Sequence, residues 1–395
     1  MANANPAHKS HPKSGLKSGT KSGPLAGLKV VEFAGLGPCP LAGQMLGDLG
    51  ADVILIERKS GKADPTDINN RSKRRIAINL KSDEGVEVAL RLVENADILI
   101  EGFRPGVMEK LGLGPEECHA RNQRLVYGRM TGWGQEGPLS STAGHDINYL
   151  AITGALHAIG RRGEPPVPPL NLAADYAGGT MFLLLGVLAA LYEAQRSGKG
   201  QVVDAAMVDG VPALMGLFHS FIARRQWEPR RESNLLDGGA PFYRCYETSD
   251  GKYLSVGPLE PQFFAELVKL ADLPKDILEN QYDVENWPDN HALLEDLFMS
   301  RSRAEWEEIF EGSDACVAPV LTFEEAAAYP ANMAREVFVN VDGVMQASAA
   351  PRFTRTPAAG PAAPNAPGAD GQEVLAEAGY GETEIEALLA SRVVV

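Results

Sequence analysis

The sequence predicts an α/β protein, in which a large layered domain with a parallel sheet is joined to a smaller α+β domain. The first observation is a series of short apolar, β-branched runs that alternate with helical runs from residue 28 onward. This order is typical of parallel sheets covered by helices on both faces. The second observation is a hairpin signal, Asp250-Gly251, between two strand-like runs. The third is the length, because 395 residues allow two or three domains.

Composition and charge disfavour several classes of protein. The chain carries 37 Lys and Arg residues against 52 Asp and Glu residues, a formal net charge of −15, which disfavours general nucleic-acid binding. Its four cysteines form no CxxC or Cys/His cluster, which predicts reduced thiols, a cytoplasmic location and no metal site. The longest uncharged apolar stretch, residues 176–192, falls short of the ~20 residues that a membrane span needs.

The first part of the predicted large domain covers residues 25–223. A buried strand over 29–33 is followed by a Gly/Pro turn and a helix from about 41 to 49, and a second helix is predicted over 82–94. The other predicted strands are 53–57, 75–80, 96–101 and 125–130.

Longer helices follow these strands. Residues 174–195 form a helical run that opens near Asp175 and closes at Gly198-Lys-Gly200. A second helical run over 207–223 leads into a polar linker over 224–239.

The predicted small domain covers residues 240–325. Residues 326–395 form a return segment with a Pro/Ala/Gly linker over 356–368 and an amphipathic helical piece over 372–389. Within the small domain, strands are predicted at 244–248 and 252–256 and helices at 261–270 and 304–311.

Residues 1–24 are predicted to be a disordered basic tail. They contain four lysines, with Ser, Gly and Pro but no acidic residue, and have too little apolar surface to offset the entropy of ordering. A targeting peptide is the alternative, but the segment lacks both the apolar core of a secretory signal and the arginines of a transit peptide.

A glycine pair after the first strand resembles part of a dinucleotide-binding fingerprint. Gly35-Leu-Gly37 lies between a strand and a helix, and Glu57 ends the next strand. Pro40 occupies the position of the third glycine, where strand and helix must pack closely. A tight strand-to-helix turn is therefore favoured over nicotinamide binding.

The stretch from Arg58 to Arg75 concentrates positive charge. It contains seven Lys and Arg residues, opposed within the stretch only by Asp64 and Asp67. Guanidinium groups bind phosphate in a bidentate manner, so a phosphorylated ligand is one interpretation and a solvated loop is the other. The residues alone leave both open.

Three ionisable residues are candidates for chemistry, although each has an ordinary structural interpretation. His145 lies in Gly144-His-Asp-Ile-Asn-Tyr149, Asp175 opens the predicted long helix, and Glu260 precedes a predicted helix. A lone histidine is usually structural, and an acidic residue at a helix start is ordinarily a cap worth ~1 kcal/mol.

Several longer segments together resemble a known family. They include Leu25-Ala-Gly-Leu-Lys-Val-Val-Glu32, Glu101-Gly-Phe-Arg-Pro-Gly106, Thr131-Gly-Trp-Gly-Gln135, Gly144-His-Asp-Ile-Asn-Tyr149, Asn171-Leu-Ala-Ala-Asp-Tyr-Ala-Gly-Gly179, Gly200-Gln-Val-Val-Asp-Ala-Ala-Met207, Asp237-Gly-Gly-Ala-Pro-Phe242 and Leu259-Glu-Pro-Gln-Phe263. With them the chain resembles the family III CoA-transferase (CaiB/BaiF-like) superfamily, and within it the α-methylacyl-CoA racemases. Only residues 1–24 and part of the late linker have no counterpart.

The resemblance implies an unusual architecture. Members have a large Rossmann-like domain built from both ends of the chain, a small domain between them, and two chains interlocked as a homodimer. It also implies that an acyl-CoA thioester lies at the domain junction. CoA would be part of the substrate, and no metal, flavin or nicotinamide cofactor is expected.

The resemblance also assigns roles to residues. Transferases of the family use the aspartate that matches Asp175 as a nucleophile, whereas the racemases pair it with a histidine that matches His145. Because this chain has both, the resemblance favours an isomerase; a CoA-transferase and a non-catalytic acyl-CoA binder are the alternatives. Arg58, Arg104 and Tyr149 match positions near CoA, and Arg75 matches less cleanly.

The racemase chemistry requires two acid–base groups on opposite faces of the α-carbon and stabilisation of an enolate oxygen. His145 and Asp175 are the expected pair, and the Asp175 backbone N–H, at a helix start, is expected to hold the oxygen. A solvated aspartate is far more acidic than a histidine, so we expect a closed apolar site to raise its pKa. Glu260 is expected to partner His145, with Asp146 as the alternative.

Overall fold

The computed structural model describes residues 22–58 and 61–395. The predicted basic tail, residues 1–24, therefore lies outside the described residues except for its last three. Arg58 is described, but its neighbours at 59 and 60 are not.

Six parallel strands form the central sheet, in the order β3-β2-β1-β4-β5-β6. This confirms the predicted α/β class. Five of the strands match predicted ones within a few residues, and the sixth was not predicted. The strands are β1 (Lys29–Phe33), β2 (Asp52–Glu57), β3 (Arg74–Ala77), β4 (Ile98–Glu101), β5 (Val126–Thr131) and β6 (Val202–Ala206).

Helices cover both faces of this sheet and fill the small domain. Short 3₁₀ turns occur at Ile68–Asn70, Leu156–Ala158 and Lys275–Leu278, and Leu172–Thr180 is a π-helical segment. The α-helices are α1 (Pro38–Asp48), α2 (Asp83–Glu94), α3 (Val107–Lys110), α4 (Pro115–Arg121), α5 (Asp146–Ile152), α6 (Met181–Ser197), α7 (Met207–Leu214), α8 (Gly216–Ala223), α9 (Pro261–Leu270), α10 (Trp287–Met299), α11 (Arg303–Phe310), α12 (Phe323–Ala328), α13 (Pro330–Ala334), α14 (Gly371–Glu377) and α15 (Glu382–Ala390).

Alternation of side chains along the buried strands divides the core into two layers. Val30 of β1 packs with α1 and α6 on one face, and Val31 packs with α2 on the other. The chain's end joins the second layer, where Val374 and Val394 are buried. The N–H of Val395 donates to the carbonyl of Ala77 at the end of β3, 3.1 Å away. Segments from both ends of the chain therefore build the large domain.

The small domain has its own sheet and an aromatic core. Strands β7 (Arg244–Glu247) and β8 (Tyr253–Val256) form the predicted hairpin, and β9 (Val317–Val320), which was not predicted, pairs antiparallel with β8. Phe242 and Trp306 are among the aromatic side chains buried behind this sheet.

A second antiparallel hairpin lies in the return segment. It consists of β10 (Phe338–Val341) and β11 (Val344–Ala347) and was not predicted. Arg71 of the large domain donates to Gln346 Oε1 at 2.6 Å and to the Ala347 carbonyl at 2.8 Å, so this hairpin is anchored to the large domain.

Three predicted helices differ in the structure. The run predicted over 174–195 begins at the third residue of the π-helical segment, the run over 207–223 is divided between α7 and α8, and the C-terminal piece is divided between α14 and α15. The combined helix Leu172–Ser197 has 26 residues and a mean hydropathy of 1.6 over its most apolar window, enough by length and composition to cross a membrane. Core helices of soluble proteins pass the same test, and 39% of that window is buried.

Candidate functional site

The site lies where the carboxyl ends of β1 and β4 meet. The chain leaves β1 towards α1 on one face of the sheet and leaves β4 towards α3 and α4 on the other. In open α/β sheets this reversal opens a crevice that commonly holds the ligand. Gly37, in the turn between β1 and α1, borders the crevice, and a Cβ added there would lie 3.5 Å from Asp175 Oδ2.

Asp175 is placed in this crevice by the π-helical segment. Such segments interrupt regular helices and frequently mark functional sites. The Asp175 carboxylate is half-buried, and Asn171, four residues earlier, donates from Nδ2 to its Oδ2 at 3.3 Å. Asn171 precedes the segment and Asp175 lies inside it. The interpretation of Asp175 as a helix cap is therefore wrong, and its side chain faces the crevice.

The Asp146 carboxylate accepts a hydrogen bond from the backbone N–H of Asp175, the group that was expected to bind the enolate oxygen. Its Oδ2 accepts hydrogen bonds from the N–H of Ala174 at 2.9 Å and of Asp175 at 2.8 Å. The Asp146 side chain is almost fully buried, with 6% of its surface exposed. The expectation that the Asp175 N–H holds the oxygen is therefore wrong, because that donor already has a partner.

His145 lies directly before α5, next to Asp175. Its backbone N–H donates to Asn148 Oδ1 at 3.0 Å, and its side chain is exposed. Burial raises the pKa of the Asp175 carboxyl and nearby Asp146 raises it further, while the Asn171 hydrogen bond and the charge of His145 lower it. The net shift is upward, as expected, and it brings the aspartate closer in acidity to a histidine.

Tyr149 and Arg104 are close to Asp175. Tyr149 is buried in α5, with its ring edge-on to Trp133 at a centroid distance of 4.7 Å. Burial and then the charge of Asp175 raise the pKa of Tyr149, while Arg104 lowers it. Arg104 is exposed in the loop after β4, which is held by a 2.7 Å hydrogen bond from the Phe103 N–H to the Glu101 carboxylate. The structure thus brings His145, Asp175, Tyr149 and Arg104 together.

Because Gly132 has no side chain, the Tyr149 ring can pack directly against its backbone. A Cβ at position 132 would overlap the Tyr149 ring and hydroxyl. We expect Gly132→Ala to displace the ring and to lower the free energy of unfolding by roughly 1–3 kcal/mol. Urea unfolding measures this effect. Gly360→Ala, where an added Cβ would meet open space, is the control, and equal behaviour of the two variants would contradict the prediction.

Arg58 follows β2 at the same edge of the sheet. Its side chain is exposed, and no ion pair is found for it among the described residues. This guanidinium therefore remains a candidate for contact with an anionic ligand.

Arg75 does not have the ligand-binding role that was predicted. Its Nε and Nη2 donate to the two oxygens of Glu57 at 2.8 and 2.6 Å. Its Nη1 donates to the Asn365 carbonyl at 3.0 Å and contacts Asp67 at 3.4 Å. The side chain is buried, so that a phosphate cannot reach it. Arg75 is a structural residue that ties the late linker to β2 and β3.

Two further members of the basic cluster are buried in ion pairs in the same way. Arg71 binds Asp48 at 2.6 Å, and Lys73 binds Glu32 at 2.7 Å with both side chains fully buried. Their acidic partners, Asp48 and Glu32, lie outside residues 58–75, so a count of charges within that stretch does not include them. The phosphate-site interpretation is therefore wrong for Arg71, Lys73 and Arg75.

The dinucleotide-like pattern has a structural explanation as well. Gly37 has a positive φ of 71°, which glycine adopts readily, and α1 begins at Pro38. Glu57 is committed to Arg75 and also accepts from the N–H of Gly368 at 3.3 Å. The tight-turn interpretation is confirmed.

Glu260 is not brought to His145 within the chain. It is exposed and precedes α9 in the small domain. Burial and the Glu260 carboxylate raise the pKa of the Cys316 thiol, which places these two side chains near each other. Among the contacts of the described residues, none joins Glu260 to His145.

Sequence reasoning missed one contributor to the site, Asn171, and the role of another, Asp146. Asn171 was not singled out, although its position four residues before Asp175 in a helical run is a signal for a side-chain contact. The role of Asp146 depends on a contact between α5 and a segment about 28 residues later, for which the sequence gives no local signal. In the described part of the chain, no group of three or more His, Cys, Asp and Glu residues could hold a metal ion.

Comparison with known proteins agrees with the predicted resemblance. The model of CoA-transferase family III matches residues 25–371. The chain is 45% identical to the α-methylacyl-CoA racemase of Mus musculus and 43% identical to that of Homo sapiens, over 94% of this chain and 97% of each relative. The crystal structure of a CaiB/BaiF family protein from Brucella suis aligns with a TM-score of 0.77 and 27% identity, over 91% of this chain and all of that one. The chain belongs to the CoA-transferase family III.

Proposed function

We propose that the protein acts as an α-methylacyl-CoA racemase, an isomerase that interconverts (2R)- and (2S)-2-methylacyl-CoA thioesters. The observation that carries the proposal is the pairing of His145 with Asp175 in one crevice, where the charge of His145 acts on the Asp175 carboxyl. Two relatives of more than 40% identity are named for this activity.

The reaction is a proton transfer from one face of C2 to the other. One base removes the C2 proton, and the electron pair of the C–H bond moves into the thioester carbonyl to form an enolate. The conjugate acid of the second base then returns a proton to the opposite face. Asp175 acts as the base for one enantiomer and His145 for the other, and each needs the other group protonated. The raised pKa of Asp175 favours this exchange of roles.

The enolate oxygen needs a donor other than the Asp175 N–H. That group donates to Asp146. In the first turn of α5, the Asn148 N–H donates to the His145 carbonyl at 2.8 Å, whereas no acceptor is found within the described residues for the N–H groups of Asp146 and Ile147. We place the oxygen at these two N–H groups, since unpaired donors and the positive end of a helix favour developing negative charge.

The CoA portion carries phosphates, and Arg58 and Arg104 are exposed cations at this edge of the sheet. Tyr149 lies near enough to Arg104 for its charge to lower the Tyr149 pKa, so we place Tyr149 beside the CoA portion as well. The reaction involves no change of redox state, and both proton carriers are side chains. We therefore propose a cofactor-independent enzyme, with CoA as part of its substrate.

Replacing either arginine tests this role. Arg58→Ala or Arg104→Ala is expected to raise KM for acyl-CoA roughly 10-fold or more, the effect of losing a charge-assisted hydrogen bond. Turnover of the bound substrate should change less, because such a contact is nearly equal in ground and transition states. Steady-state kinetics and inhibition by free CoA measure both effects.

Arg124→Ala is the control for these variants, because Arg124 is an exposed arginine just before β5, at the opposite edge of the sheet. An unchanged KM with a collapsed turnover number in either test variant would remove that arginine from the phosphate role.

A second copy of the chain completes the proposal. Apolar side chains are exposed on α6 and near it, including Leu185 at 66%, Tyr192 at 65% and Ile152 at 60%. An interlocked homodimer would cover such surfaces and would allow Glu260 of one chain to reach His145 of the other. We propose this arrangement, in which residues 240–325 form the small domain. A cytoplasmic location fits the four free cysteines.

The activity is tested by incubating a single enantiomer of a 2-methylacyl-CoA with the protein in D₂O, without added cofactor. Epimerisation with uptake of deuterium at C2 is expected. Epimerisation without deuterium uptake would exclude the mechanism. Transfer of CoA to a free acid as the main activity would favour the second candidate, a CoA-transferase.

One observation favours a CoA-transferase as the second candidate function. The Asp175 carboxylate lies next to Gly37 and is only half-buried, so it is partly accessible, as a nucleophile that attacks an acyl group must be. Such an enzyme needs Asp175 but not His145.

A further inference from the structure

We infer that Asp146 is a positioning residue for Asp175, whose carboxylate clamps the backbone of the π-helical segment and sets a fixed negative charge beside the Asp175 carboxyl. The inference rests on the proposed function and extends it to a residue that does not touch the substrate. It also assigns to Asp146 a role different from that of orienting His145.

The clamp is a pair of hydrogen bonds between two elements. Asp146 Oδ2 accepts from Ala174 and Asp175 at 2.9 and 2.8 Å. Helix starts leave several N–H groups without intrahelical partners, and here one carboxylate from a different helix satisfies two of them. Because the second bond is made to Asp175 itself, the position of this side chain depends directly on Asp146.

The clamp also sets the relation between the two proposed bases. His145 and Asp146 are adjacent in the chain, so the residue that holds the Asp175 backbone is joined by one peptide bond to the residue that carries the imidazole. A shift of α5 relative to the π-helical segment would therefore move His145 and break the clamp together. The two bases must act on opposite faces of one carbon, and the dipeptide His145-Asp146 fixes the distance between them.

The charge of Asp146 is weakly compensated. Its second oxygen, Oδ1, is buried and has no hydrogen-bond partner among residues 22–58 and 61–395. After burial, which is the largest cause, the Asp146 charge raises the pKa of Asp175, while Asn171 and His145 lower it. A more basic carboxylate removes an α-proton more effectively, so the placement of this charge assists the reaction.

Other groups near Asp175 do not supply this charge. Tyr149 also lies on α5, and Arg104 reaches the site from the loop after β4. Of the other packed elements, α1 carries Cys39, which is buried, and α7 carries Asp209, which is exposed. Among these groups, Asp146 is the acidic residue that also binds the Asp175 backbone.

Two variants separate the clamp from the charge. Asp146→Asn keeps an oxygen that can accept both N–H bonds but removes the charge, whereas Asp146→Ala removes both. Asp250→Asn is the matched control, because Asp250 also accepts a backbone N–H, that of Arg303 at 3.1 Å, but lies in the small-domain hairpin. Deuterium exchange at C2 is measured from each enantiomer as a function of pH, with KM and kcat.

For Asp146→Asn, the acid limb of the exchange that uses Asp175 as base is expected to move to lower pH, because a negative neighbour no longer raises the Asp175 pKa. KM should change little. Asp146→Ala should in addition lower kcat roughly 10- to 100-fold, since a small misplacement of a base is costly. Asp250→Asn should match the unmodified protein in both readouts.

An Asp146→Asn profile that coincides with that of the unmodified protein overturns the inference, as does an identical shift in Asp250→Asn. If Asp146→Ala fails to fold, Asp146→Asn alone decides. A failure of the proposed function is recognised separately, because the unmodified protein would then show no exchange at C2.

Discussion

His145→Ala is expected to lower the rate of epimerisation roughly 10²- to 10⁴-fold in both directions, the usual loss on removing a general acid–base group. Both directions fail because each uses His145 once, as base for one enantiomer and as acid for the other. Deuterium exchange at C2, unlike epimerisation, need not be lost for both enantiomers. The enantiomer whose C2 proton faces Asp175 can still form the enolate and recover deuterium from the same side, so exchange should become strongly asymmetric.

Asp175→Ala should show the mirror preference, with exchange retained for the enantiomer that faces His145. The substitution leaves in place the hydrogen bond from the backbone N–H of residue 175 to Asp146, so the backbone of the π-helical segment is expected to stay where it is. The measurement is the loss of the C2 proton signal in D₂O for each enantiomer separately, with the optical purity of recovered substrate followed in parallel.

The same two variants distinguish the isomerase from a CoA-transferase. A transferase would lose all activity in Asp175→Ala, and His145→Ala would be nearly normal. Hydroxylamine would then trap an acyl group on Asp175 in the unmodified protein. Normal epimerisation by His145→Ala would refute the role of His145 on which the proposed function rests.

The sheet could be predicted because its strands are buried on both faces. Such strands appear as continuous apolar runs, as in β1 and β2, and need no knowledge of their neighbours. The strand that was missed, β6, has three of its five residues at least partly exposed and carries Asp204 in its middle. Its place in the sheet is decided by pairing with β5, a contact about 75 residues distant in sequence that no local pattern reveals.

The site was also predicted in part, and the part that was missed likewise depends on a contact between distant elements. Resemblance placed His145, Asp175, Arg104 and Tyr149, and the structure brings them together at one edge of the sheet. The backbone donors were assigned wrongly, because Asp175 was taken for the first residue of a helix. Which N–H groups are free depends on Asp146, whose partners lie in another element.

The prediction with the largest expected effect on stability concerns Arg75. Arg75→Met is expected to lower the free energy of unfolding by about 3–5 kcal/mol, because it leaves the Glu57 carboxylate buried without its partner. In the native chain the two side chains are only 6% and 7% exposed. The KM for acyl-CoA should stay near that of the unmodified protein, measured under conditions where the variant is folded.

Arg121→Met is the matched control, since Arg121 forms ion pairs with Glu87 and Glu94 on the surface, where all three side chains are 37–52% exposed. Exposed pairs contribute ~0–1 kcal/mol, so urea unfolding should separate the two variants clearly. The double variant Arg75→Met/Glu57→Leu should recover part of the loss, because it removes the unpaired charge and fills the space with apolar atoms. A raised KM with unchanged stability in Arg75→Met would instead return Arg75 to the ligand-binding role that its buried contacts argue against.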